Sequence, residues 1–274
     1  MAEIVLVTGA TGALGPTVVR YLLTKGYQVR AFCRRTPQLG LLPAAVELVY
    51  GDITDSVAVD TAARGCHFIV HMAALLHIMN PSSTLHREYE AINVSGTANV
   101  LQAAQASGIR RVVYVSTIAV YGHGRPEVIT EMTPPCPDSI YGETKLAAEQ
   151  LVQKAKRRDG EPLGVILRLA AVYGVGIKGN YARLYQALER GRFVSLGRGT
   201  NHRTLVHEHD VAKATLLALA HPRAAGQIYN VTDGESHPVS TIVAAISRAL
   251  QKKPPRIFLP VTPVRWAVRG MELL

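Results

Sequence analysis

The chain is poor in cysteine, with three in 274 residues, at 33, 66 and 136. An odd number, widely spread and without CxxC spacing, excludes a disulfide framework and leaves buried or incidental thiols. Long apolar runs are missing too. None reaches the ~18 residues that a membrane-spanning helix requires. "MAEIVLVTGA" enters a strand-like run at once, without a basic leader, so a cytoplasmic protein is expected. Acidic residues are the minority, 20 against 30 Lys and Arg, for a net charge of +10. That balance suits an anionic partner. The basic residues are scattered, and their densest group, "QKKPPR", lacks interleaved aromatics. Phosphates on small molecules therefore fit better than nucleic acid. With 48% hydrophobic and 18% charged residues the chain is ordinary for a folded protein. Its length allows one large domain, or one domain with a smaller lobe.

What is present is alternation. "EIVLVT" is a short β-branched run of the kind buried on both faces of a sheet. A helix-like stretch from Leu14 to Lys25 follows and stops at Gly26. "YQVRAFC", "VELVYGDI" and "HFIVHMAA" read as the next three strands, then Thr84 to Ala106 as a helix closed by Ser107-Gly108. "RRVVYVST" is a fifth strand, "SIYGETKLAAEQLV" opens another helix, and "PLGVILRLA" is a sixth strand. Strand and helix in repetition predict right-handed crossovers and an α/β fold, a Rossmann-type doubly wound parallel sheet. Beyond about residue 172 the pattern loosens into glycine-rich segments around a helix from Tyr181 to Arg190. We expect residues 1–172 to form the dinucleotide-binding domain and 173–274 mainly a substrate-binding lobe. Residues 224–252, with a helix from Ser240 to Lys252, are expected to return to the sheet.

"TGATGALG" joins the first strand to the first helix with glycines at 9, 12 and 15. Gly9 permits the tight turn, Gly12 lets a pyrophosphate approach the backbone, and Gly15 lets helix and strand pack closely. The turn also contains Thr11, Ala13 and Leu14, and the helix N-terminus offers N–H donors and a positive dipole end. In this context the glycine triplet predicts dinucleotide binding. The second strand ends in "FCRRTP", with Arg34 and Arg35 where an NAD-binding chain carries an acidic residue. NADP is therefore favoured and NAD possible, the alternative being two solvated arginines. Asp52, beside Ile53 after the third strand, is placed to meet the adenine edge, or to cap the helix beginning near Asp55.

Tyr141 and Lys145 are helix neighbours at i and i+4. A phenol is a poor base at neutral pH, and a nearby ammonium is expected to lower its pKa for proton transfer. Thr117 ends the fifth strand, at the carboxyl end where ligands bind such sheets. Its hydroxyl is placed to hold a substrate oxygen while hydride moves at the carbon. Together Thr117, Tyr141 and Lys145 form a device for carbonyl–alcohol chemistry. His67 and His71, in the fourth strand region, read as core residues.

The motifs "TGATGALG", "GDITD", "HMAA", "NVSGTANVL", "VSTIAVYG", "YGETK", "LRLAAVYG" and "HRTLVHEHDVAKA" span nearly the whole chain. In them the sequence resembles the extended short-chain dehydrogenase/reductase family, within it the nucleotide-sugar epimerase/dehydratase branch. The resemblance implies that Tyr141 is the catalytic acid/base and Lys145 its partner. Thr117 takes the place of the catalytic hydroxyl, with Ser116 as the lesser choice. Asn93 falls where the family keeps a supporting asparagine; a helix asparagine bonded to backbone is the alternative. Ala73, Ala74, Leu169 and Val172 would line the nicotinamide pocket, and Ile118 would sit beside the substrate. Asn180 begins a segment like the family's nucleotide-flanking helix. Arg203 matches an arginine on the nucleotide diphosphate, or else pairs with Glu208 or Asp210 at the surface.

The family's 4,6-dehydratases carry Asp-Glu directly after the catalytic threonine, whereas this chain has Ile118 and Ala119, which cannot perform acid–base elimination. His207 and His209 on one strand face could suit a metal; the resemblance implies instead a strand leading into a helix at Asp210, and no metal. The expected function is an NAD(P)-dependent epimerase or ketoreductase of a nucleotide-diphosphate sugar. Alternatives are a dehydrogenase of hydroxysteroids or other small alcohols, and an NADP-sensing protein without turnover. The resemblance also implies a homodimer, and a chain that ends, at "VRWAVRGMELL", earlier than most of the branch.

Overall fold

The computed structural model describes residues 2–76, 83–124, 128–177, 179–255 and 258–259. The closing "VRWAVRGMELL" lies outside them. In chain order the elements are β1 (Ile4–Thr8), α1 (Gly15–Thr24), β2 (Gln28–Cys33), β3 (Glu47–Tyr50), α2 (Ser56–Ala63), β4 (Phe68–His71) and α3 (Ser83–Tyr89). A π-helical segment, Glu90–Ser95, joins α3 to α4 (Gly96–Ala106). Then come β5 (Arg111–Thr117), a tight helical turn at Ile118–Tyr121, α5 (Ile140–Lys154), β6 (Gly164–Leu169), β7 (Ala171–Tyr173) and α6 (Asn180–Glu189). The remainder are β8 (Ser195–Leu196), β9 (His202–Arg203), β10 (Leu205–His207), α7 (Glu208–Ala220), β11 (Ile228–Val231), β12 (His237–Pro238), α8 (Val239–Ala249) and β13 (Phe258–Leu259).

The central sheet has seven strands among the described residues, in the order β11-β6-β5-β4-β1-β2-β3. Every pair in it is parallel. The order reverses between β1 and β4, the kind of switch point beyond whose carboxyl ends such sheets bind ligands. The inner strands are apolar because helices cover both faces: β6 is buried along its whole length. On one face Leu6, Ile69, Val112 and Ile166 pack with Val59, Val100, Leu101, Ala148 and Val152 of α2, α4 and α5. Elsewhere on the sheet α1 packs along α7. Cys33 and Cys66 are buried, Cys136 is exposed, and none is bonded to another.

The chain forms two compact units, one of residues 1–170 and 207–231, the other of 171–206 and 232–274. The first holds the sheet. The second contains α6 packed on α8 and small two-stranded pairings, β9 with β12 and β8 with β13. This differs from the expected division at residue 172 with 224–252 returning. The returning piece starts earlier, because α7 packs on α1 and β11 pairs with β6. It ends at Val231, and α8 packs with α6 and β12 within the second unit.

Candidate active site

The glycine turn has the local geometry its residues predict. Gly9 has φ of 72°, and a Cβ there would lie 2.7 Å from the Ala73 backbone nitrogen. A Cβ on Gly15 would meet the Ala10 carbonyl oxygen at 2.1 Å, so helix and turn touch backbone to backbone. Thr11, Gly12 and Ala13 stay exposed, Leu14 is half-buried, and the first turn of α1 carries no acidic residue. The turn thus fits a dinucleotide pyrophosphate, which its backbone would hold.

Arg34 and Arg35 are exposed just past β2. Asp52 accepts from the Thr54 N–H at 2.9 Å and the Thr54 hydroxyl at 2.7 Å. These bonds, with the Arg34 guanidinium nearby, hold its carboxyl below the usual range. Asp52 does not cap α2; Asp55 does, accepting from the Val57 and Ala58 N–H groups. Ile53 is buried, and a Cβ on Gly96 would press its Cγ2 at 2.9 Å. The glycine of "NVSGTANVL" therefore lets α4 approach the loop after β3 that carries Ile53.

Ser139 caps α5 by accepting the Gly142 N–H. That cap starts the helix so that Tyr141, Lys145 and Glu149 fall one turn apart on one stripe. Thr117 accepts the Ala119 N–H at 3.2 Å, and its hydroxyl hydrogen-bonds Tyr141. Ser116 is occupied otherwise, donating to Glu149. Lys145 is buried, donates to the Val115 carbonyl at 2.7 Å, and lies over the Tyr114 ring at 4.0 Å.

The charge logic differs from the sequence expectation. Burial pushes the Tyr141 phenol up to about 12, against the pull of the Thr117 hydrogen bond. Burial pushes Lys145 down to about 7, against the pull of Glu149. The ammonium is turned to the strand carbonyl, and burial, with the Thr117 bond against it, sets the phenol's proton affinity.

Asn93 lies within the π-helical segment and is buried. Its amide takes the Leu75 N–H at 2.8 Å, gives to the Leu75 carbonyl at 3.2 Å, and gives to Thr144 at 3.1 Å. It therefore braces the loop after β4, with half-buried Ala73 and Ala74, against α5. Leu169 ends β6 and is buried. Ile118 begins the turn after Thr117 and is half-buried.

Val172, Asn180 and Arg203 belong to the second unit. Asn180 opens α6, and Arg203, exposed on β9, donates to the His202 carbonyl. Within that unit Arg203 lies near enough to Tyr181 to oppose the rise that burial gives its phenol. The suggested surface partners of Arg203 have contacts of their own: Glu208 accepts from Thr17, and Asp210 from Lys213. His207 ends β10 and accepts the His209 N–H as the cap of α7, so the two histidines do not share a strand. No cluster of three or more metal-ligating side chains occurs among the described residues.

Sequence reasoning missed Glu149 and Arg168. They form a buried ion pair at 2.6 Å, and Arg168 also donates to the Tyr121 hydroxyl, which donates to Asn230. An acid eight residues past Tyr141 on the same helix stripe was the available signal.

Known proteins are similar to this chain. A 3 beta-hydroxysteroid dehydrogenase/Delta 5-->4-isomerase of Mycobacterium tuberculosis is 32% identical over 98% of this chain and 75% of its own. A UDP-glucose 4-epimerase of Vibrio cholerae is 32% identical over 95% of this chain and 80% of its own. Among solved structures, MoeE5 in complex with UDP-glucose and NAD is 31% identical, with a TM-score of 0.81 over 94% of this chain and 85% of that one. The family described as NAD dependent epimerase/dehydratase matches residues 5–232, which include the glycine turn, Thr117, Tyr141 and Lys145. The chain belongs to that family and is an NAD(P)-dependent enzyme of the epimerase/dehydrogenase kind.

Proposed function

We propose that the enzyme moves a hydride at a sugar carbon of a nucleotide-diphosphate sugar, as an epimerase or a 4-ketoreductase. The observation that carries this reading is the hydrogen-bonded pair Thr117–Tyr141 with Lys145 one helical turn on. When bound, the nicotinamide supplies the hydride acceptor or donor. The chain does the rest: Thr117 orients the oxygen of the reacting carbon, and Tyr141 gives or takes its proton. Because burial holds that phenol protonated well beyond neutral pH, it is set to donate to an oxygen that gains charge. Lys145 orders the same pocket from the strand side. In the second unit Arg203 is the residue we assign to phosphate, as a two-pronged donor.

Calorimetry with UDP, dTDP and GDP tests the substrate class. Binding of one of them is expected; no binding of any, with turnover of a hydroxysteroid, would give the second reading, which the Mycobacterium tuberculosis relative supports. Tyr141→Phe should lower turnover by about 10²–10⁴-fold with the fold intact, and an unchanged rate would remove Tyr141 from the chemistry. The pair Arg34–Arg35 supports use of NADP as well as the NAD found in related structures such as MoeE5. Arg34→Ala should weaken NADP more than NAD, and equal losses would refute the phosphate contact. A homodimer is part of this reading on family grounds, with light scattering as its check.

A further inference from the structure

His71 is fully buried at the end of β4, register-paired with Thr8 of β1. Its Nδ1 is 2.7 Å from the Thr8 hydroxyl oxygen, and its Nε2 is 3.0 Å from that of Thr97 in α4. The neighbouring bonds fix the direction of every proton. Thr97 donates to the Asn93 carbonyl at 2.6 Å, and a carbonyl can only accept. The one proton of Thr97 is thus spent, so Thr97 must receive from His71, which places the imidazole proton on Nε2. Nδ1 then carries the lone pair and accepts from Thr8, while Thr8 accepts the Ala73 N–H at 3.2 Å. The run is one-way: Ala73 to Thr8, Thr8 to His71, His71 to Thr97, Thr97 to Asn93.

On the dinucleotide reading, each end of this run is a segment that would face the cofactor. Thr8 precedes the glycine turn, and Ala73 touches Gly9 closely enough that no Cβ fits between them. Asn93, at the other end, grips Leu75 and Thr144 with its amide, and Thr144 donates to the carbonyls of Ile140 and Tyr141. An aromatic hydrocarbon at 71 would leave the Thr8 proton without its acceptor and take away the donor to Thr97. A side-chain amide has its donor and acceptor at one end, and cannot span from β1 to α4 as a ring does.

We propose that His71, as the neutral ring with its proton on Nε2, is a positioning residue. It sets the glycine turn against the π-helical segment and, through Asn93, against the helix that carries Tyr141 and Lys145. It touches neither cofactor nor substrate. The role rests on dinucleotide binding, and its effect belongs to cofactor affinity and turnover together.

The first test uses the unaltered protein. Nitrogen-15 spectra of labelled histidine should show one ring protonated at Nε2 and bare at Nδ1, unchanged between pH 5.5 and pH 8. The signal is assigned through its loss in His71→Gln. A proton on Nδ1, or an imidazolium, would overturn the proposal. The second test is calorimetry with NAD. Thr97→Val should weaken binding by about tenfold, the scale of one buried hydrogen bond, and lower kcat, whereas Thr97→Ser, which keeps the hydroxyl, should restore both. A lower Tm with NAD affinity and kcat unchanged would make the bonds merely structural and overturn it. Failure of the unaltered protein to bind NAD or NADP would overturn the dinucleotide reading and this role with it. The spectra alone would then still report the direction of the bonds.

Discussion

Lys145 holds its charge where burial works against it. Its folded pKa lies near 7 against an ordinary 10.5, so between those values the unfolded chain binds the extra proton. Below about 7 the penalty is fully present; as pH climbs toward 10.5 it is relieved, by up to about 1.4 kcal/mol per pH unit. Urea unfolding at pH 7 and pH 9 should show the unaltered protein gaining stability over that interval. Lys145→Met should lack the gain. At this scale the sequence was informative about identity and silent about setting. The spacing of Tyr141 and Lys145 could be read, but the Val115 carbonyl and Tyr114 ring that hold the ammonium come from a distant strand. The rise of the phenol comes likewise from burial, which packing and no local spacing sets.

Among elements, the α3–α4 run shows how far periodicity reaches. A helix over 84–106 was legible from the pattern, and its extent agrees closely with the structure. The π-helical segment inside it was not. It forms where the Thr97 hydroxyl takes the Asn93 carbonyl and Asn93 leans across to Leu75, contacts that no local pattern encodes. Gly96 opens α4 for a similar reason. An alanine inside a helix ordinarily outdoes glycine by about 1 kcal/mol. Here the added methyl would meet buried Ile53, so Gly96→Ala should instead cost about 1–3 kcal/mol. Chemical denaturation decides the sign.

For the whole molecule, a doubly wound parallel sheet followed from alternation, because buried parallel strands must be apolar and crossovers right-handed; the order of the strands came with the structure. The boundaries of the two units did not follow, since periodicity separates the strand β11 from the helix α8 but does not say which partner each packs on. Across the sheet-bearing unit runs the buried set Ser116, Glu149, Arg168 and Tyr121, which with half-buried Asn230 ties β5, α5, β6 and β11 together. Glu149→Gln leaves the Arg168 charge unmatched and should cost about 3–5 kcal/mol. Adding Arg168→Met should recover most of it, measured by urea titration of both variants. Recovery would identify the loss as that of a stranded charge.

The order in which the strands reach the sheet has a consequence for synthesis. β6 sits between β5 and β11, but the chain departs into the second unit before β11 is made. On the ribosome, the nascent polypeptide therefore carries an apolar strand with one open flank until Val231 has emerged. That interval is when it is most exposed to mispairing with another chain, and when a chaperone would have most to protect.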